Sequence, residues 1–230
     1  MVLKDLIGKI GDSISGQFRG NTYYTVCKKS KPLNIYEELL ENVRKKISEV
    51  APDARQSLEK LLDRMKKLDY SLISGDIKKE YGYLTCILTE AFYYGILKGI
   101  DLAVRDNIYI FKNRKLEQQI IQERINNLKT ALKYLASEDR LERFLKAYLK
   151  RLVGKFHNAG YQISDLLRIK DMRGLMNLLN NIETVAESLV TLADLVGEES
   201  ERVIYLVKDL ATAPESEKEY VDKYIEEYGS

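Results

Sequence analysis

Residues 76–100 read DIKKEYGYLTCILTEAFYYGILKGI. From Leu84 onward, apolar side chains fall on nearly every side of a helical wheel: Leu84, Ile87, Leu88, Ala91, Phe92, Tyr94, Ile96 and Leu97. A helix that is apolar nearly all round has little face to offer water and belongs inside a protein. The spacing predicts a long central buried helix over 76–100. Ser74-Gly75-Asp76 forms the turn and cap before it, and Gly99 is its expected terminator.

Amphipathic segments flank that centre. Upstream, residues 53–72 carry Leu58, Leu61, Leu62, Met65 and Leu68 on one stripe, and Pro52 separates them from a helix over 35–50. Residues 2–18 place Leu3, Leu6, Ile7, Ile10, Ile14 and Phe18 at helical spacing, as a docking arm or a membrane-surface helix. Downstream, helices are expected over 113–135, 138–167, 172–196 (ended by Gly197) and 198–211, ahead of Pro214. The acidic end, 215–230, is helical or frayed. The sum is an all-α bundle of six or seven antiparallel helices joined by short loops. It divides into an N-terminal amphipathic helix and basic arm at 1–34, a bundle at 35–213 and an acidic tail at 214–230.

Composition narrows the function. The 230 residues are 45% hydrophobic and 31% charged, which excludes an intrinsically disordered chain. Three prolines are too few for an all-β sandwich. One histidine and two cysteines cannot make a four-ligand Cys/His zinc site, and no metal or cofactor is expected. A nucleophilic triad would have to run through His157 alone. Cys27 and Cys86 are isolated, and Cys86 reads as core packing. With no run of 18 apolar residues and no signal-peptide pattern, the expected location is the cytoplasm, with both thiols reduced. Abundant Lys, Glu, Ile and Tyr with scarce His, Cys and Trp is a thermophile-like bias.

The net charge of +2 hides a polarised chain. Residues 112–170 carry fourteen basic and six acidic side chains, whereas residues 198–230 carry four basic and ten acidic. Within the basic segment, Arg140, Arg143, Lys146, Lys150, Arg151 and Lys155 lie close together, and Arg143, Lys146 and Lys150 share a helical face. Such a face attracts phosphate backbones, and Tyr148 and Tyr161 are nearby aromatics able to stack on bases. The competing reading is a solvated face of the bundle. Tyr23 and Tyr24 with Lys28, Lys29 and Lys31 form a second basic and aromatic mix. Glu183, Glu187 and Asp194 fall on one helical stripe suited to Mg²⁺. That stripe lies away from the core face expected at Ile182, Val185, Ala186, Leu189, Ala193 and Val196, so it reads as solvated.

Arg151 followed by His157 resembles the Arg-then-His motif of HEPN ribonucleases. That resemblance implies metal-independent RNA cleavage, with imidazole moving the proton and guanidinium holding the phosphate. Six helical residues leave the pair about 120° apart, so two subunits would have to supply the contact.

The order of elements also resembles the translin family of all-α, oligomeric proteins that bind single-stranded RNA or DNA. LDRMKKLDYSLISGD at 62–76 leading into TEAFYYGILKG at 89–99 is similar to that family's helix, turn and buried aromatic helix. RLVGKFHNAGYQISDLL at 151–167 is similar to its L-x-G-E-L helix, and MNLLNNIETVAESLVTL with ERVIYLVKDLA to its closing pair. Of the four carboxylates on the family's catalytic branch, only Glu90 is matched; the others fall at Ile87, Arg151 and Lys155. The resemblance therefore implies a non-catalytic, nucleic-acid-binding member. The leading expectation is a non-enzymatic homo-oligomer binding single-stranded RNA or DNA through Arg143, Lys146, Lys150, Arg151 and Lys155. The alternatives are a HEPN-like ribonuclease using Arg151 and His157, and a scaffold subunit of a larger assembly or a virus.

Overall fold

The structure is a computed structural model describing residues 36–68, 84–112, 118–137, 139–169, 172–212 and 219–229. Its helices are α1 (Glu37–Val50), α2 (Arg55–Lys67), α3 (Leu84–Lys112), α4 (Gln118–Leu135), α5 (Arg140–Ala159), α6 (Tyr161–Leu167), α7 (Met172–Leu179), α8 (Ile182–Thr212) and α9 (Glu219–Gly229). Among the described residues no strand occurs, and seven of these helices have eleven residues or more. The expected all-α bundle of six or seven helices is the fold observed.

The first hairpin follows from its apolar spacing. α1 buries Leu40, Val43 and Ile47, and α2 buries Leu58, Leu61, Leu62 and Met65. Pro52 opens a short 3₁₀ turn over Pro52–Ala54, where its missing N–H costs nothing. Arg44 then reaches back to Glu59 at 2.9 Å across the hairpin.

α3 is the central element, as its sequence requires. Leu88, Phe92, Tyr93, Ile96, Leu97, Ile100, Ala103 and Val104 are all buried. Tyr36 donates a hydrogen bond to the Glu90 carbonyl and Lys46 reaches Asp101, so α1 runs in the same direction as α3. α8 also runs parallel to α3, because Gly95 faces Val203 and Gly99 faces Val207. The expected antiparallel order holds for chain neighbours such as α1 and α2 but not for these non-neighbours, which run parallel because the helices between them return the chain to the same end.

Gly99 does not end the central helix, which continues to Lys112. The reason is steric. A Cβ on Gly95 would lie 2.8 Å from Val203 Cγ1, and one on Gly99 would lie 2.6 Å from the Ile204 carbonyl oxygen. These glycines let two backbones touch. The expected start of this helix, 76–83, lies outside the described residues.

Two other boundaries differ from expectation. The single helix expected over 138–167 is two, because Gly160 takes φ 122 and ψ 166, a conformation that breaks the helix between α5 and α6. The break expected at Gly197 is absent: α8 runs through it, and the interruption falls instead at residues 180–181. The core face of the first half of α8 is Val185, Ser188, Leu192 and Val196. Leu189 and Ala186, expected inside, are exposed.

The acidic end of the chain forms α9 and packs on α5, with Val221, Tyr224 and Ile225 buried. A run of aromatic contacts joins the layers. Phe92 meets Phe144 edge-on at 5.0 Å, and Phe144 meets Tyr224 at 5.5 Å. Residues 1–35, with the amphipathic segment and Tyr23, Tyr24 and Cys27, lie outside the described residues. No described helix is long and apolar enough to cross a membrane.

Candidate nucleic-acid interface

α5 positions the basic residues. Leu141, Phe144, Leu145, Tyr148, Leu152 and Phe156 face the core, which fixes the rotation of the helix and hence the direction of every cation on it. Arg143, Lys150, Gly154 and His157 fall on the opposite side, exposed, at i, i+7, i+11 and i+14. Lys146 flanks this stripe, half-buried, and pairs with Glu142 at 3.0 Å. No acid occupies an exposed position of α5. Among the described residues nothing lies within 4 Å of where a Cβ on Gly154 would stand, so bare backbone interrupts the stripe.

Arg151 and Lys155 point elsewhere. Arg151 Nε donates to Glu199 Oε2 at 2.7 Å, and its guanidinium lies 4.4 Å from the Tyr228 ring centre. Lys155 Nζ holds Glu198 at 2.8 Å and Glu199 at 3.6 Å. Glu199 is fully buried, and its other oxygen accepts from the Tyr224 hydroxyl at 2.8 Å. Burial opposes the Arg151 charge, but Glu199 outweighs it and raises the guanidinium's pKa. Lys155 in turn holds the exposed Glu198 below the usual carboxylate range. These two cations are turned to the buried Glu199, so the run of five expected contacts divides: Arg143 and Lys150 face outward, Lys146 is half-buried on Glu142, and Arg151 and Lys155 point inward.

Tyr148 is no stacking platform. It is fully buried between Phe92 and Ser200, with its hydroxyl 3.3 Å from Ser200 Oγ. Burial pushes that phenol's pKa up. The Tyr161 side chain lies outside the described residues, as do those of Cys86 and Ile87.

The Arg151 and His157 pair is not brought together. His157 is exposed on the outer stripe, while Arg151 is turned toward α8 and α9. Glu183, Glu187 and Asp194 are exposed on α8. Among the described residues no group of three or more His, Cys, Asp or Glu side chains is placed to hold a metal ion. Glu90 is buried; its Oε2 has no hydrogen-bond partner among the described residues, and burial pushes its pKa up to about 9.

A second charged cluster escaped sequence reasoning. Asp101, buried on α3, accepts from Lys46 at 2.7 Å, from Lys98 at 3.4 Å and from Arg105. Lys98 and Arg105 stand three residues before and four after Asp101, so that part was visible in the helix period. Lys46, 55 residues away in sequence, was not. No family model, curated protein or solved structure matches the chain.

Proposed function

We propose that the protein is a non-enzymatic, cytoplasmic binder of single-stranded nucleic acid, with the outer stripe of α5 following the phosphate backbone. One observation carries the reading: Arg143 and Lys150 are exposed on one face beside Lys146, and no exposed position of that helix is acidic. From Arg143 to His157 the stripe runs about 21 Å, room for several phosphates in a row. Phosphate contacts of this kind position a strand without reading its sequence. A homo-oligomer would offer more than one such stripe to the same strand. The resemblance to translins favours the same class. The ribonuclease reading has less support, since Arg151 is engaged by the buried Glu199.

The test is fluorescence anisotropy of a labelled single strand titrated with protein between about 50 and 200 mM salt. Three phosphate contacts should give a log–log slope of about −2. Lys150→Glu should weaken binding at low salt and flatten that slope by about one contact. Arg151→Gln should lower stability, by leaving Glu199 short of a partner, while changing the slope little. Equal affinity across the salt range would overturn the reading and favour a scaffold whose partner is another protein.

A further inference from the structure

The cleft between α1 and α3 has a volume of about 280 Å³ and is lined by Glu38, Leu39, Asn42, Lys46, Tyr94, Lys98, Asp101 and Arg105. We propose that it binds a small phosphomonoester, with Lys46, Lys98 and Arg105 gripping the phosphate dianion. Charge arithmetic is the first argument. One cation suffices to balance Asp101, yet three converge on it. Even with Glu38 counted, the lining keeps an excess of positive charge.

Geometry is the second argument. Asp101 is buried, with a side-chain exposure of 2%, and both its oxygens already accept from cations. It acts as the anchor that fixes three cationic heads at one place. The three side chains stay accessible: those of Lys46 and Lys98 are 28% exposed and that of Arg105 is 49% exposed. An ammonium has three N–H donors and a guanidinium five, so each keeps donors beyond those given to Asp101. Pre-oriented cations around a small concavity are what a dianion selects, because little side-chain entropy remains to be lost on binding.

The rest of the lining suggests an ester in preference to bare phosphate. Leu39 and the Tyr94 ring form an apolar wall for the organic part. Burial, and then the nearby Asp101 charge, raise the Tyr94 pKa, so its phenol remains a donor at neutral pH. Asn42 adds an amide. The volume suits a small molecule and not a polymer strand, and the cleft lies on α1 and α3, separate from the α5 stripe.

The experiment is isothermal titration of the full chain with phenyl phosphate, inorganic phosphate and diphenyl phosphate, with ionic strength held constant by KCl. Phenyl phosphate should bind at one site per chain, more tightly than inorganic phosphate, and the diester at least about tenfold more weakly. Lys98→Gln and Arg105→Gln should each weaken phenyl phosphate by about tenfold, the loss of one charge-assisted contact. Lys45→Gln, an exposed α1 cation that does not line the cleft, should leave it unchanged. Circular dichroism reports folding. Arg105→Gln carries the test if Lys98→Gln fails to fold, since Arg105 is half exposed. No saturable binding, a diester that binds as well as the monoester, or unchanged affinity in the cleft variant would overturn the proposal.

Discussion

Glu90 shows how one buried side chain sets a pH dependence. The residue is 4% exposed, and burial lifts its pKa to about 9. In the unfolded chain the same group ionises near the ordinary glutamate value of 4.5. Between those two values the folded state holds a proton that the unfolded state has released. Stability therefore falls as pH rises through that window, by up to about 1.4 kcal/mol per pH unit from this group, and is unaffected by it below. Glu90→Gln should remove that slope and make the protein more stable than wild type at pH 8, as urea unfolding at pH 5 and 8 would show. A wild-type slope retained in the variant would mean that Glu90 is not the group responsible. Asp101 works in the opposite sense. Arg105 and Lys46 outweigh the burial that would raise it and hold it below the carboxylate range, so its contribution is lost only in acid.

Among the elements, glycine has opposite meanings on two helices. On α3, Gly95 and Gly99 permit the contact with α8. Gly99→Ala would press a methyl group onto the Ile204 carbonyl and the Val207 side chain, 2.6 and 2.7 Å away, and should cost about 1–3 kcal/mol. On α5, Gly154 lies inside a helix, and no described residue comes within 4 Å of its Cβ position. Gly154→Ala should stabilise by about 0.5–1 kcal/mol through helix propensity. Denaturant midpoints of the two variants should move in opposite directions, and a shift of the same sign would contradict the packing described. The expected break at Gly99 arose because glycine inside a helical pattern reads equally as a stop or as a close approach. Only the partner helix decides which.

At the scale of the whole molecule, the acidic end belongs to the core and is not a loose counterweight to the basic helix. α9 buries Val221, Tyr224 and Ile225, and sets Tyr224 on Glu199 and Tyr228 against Arg151. Arg140 meets Asp222 at 3.4 Å on the same seam. A chain ending at residue 218 should expose those apolar groups and lower the thermal midpoint on the order of 10 °C. An unchanged midpoint in differential scanning calorimetry would show that α9 docks too weakly to matter.

The helical class, the buried centre and the inner face of most helices were legible in the order of residues, because apolar periodicity is a local property that any helix must obey. That order even held the correction to one site residue: Tyr148 falls on the stripe of Leu141, Phe144, Leu145 and Leu152, so its place in the core was legible there. The tertiary structure alone decided which cations remain outward. Glu199 lies 48 residues from Arg151, and Lys46 lies 55 from Asp101. No spacing rule links such pairs. They meet only because α8, α9 and α1 pack where they do, and a charge is claimed by whichever opposite charge the fold brings within reach.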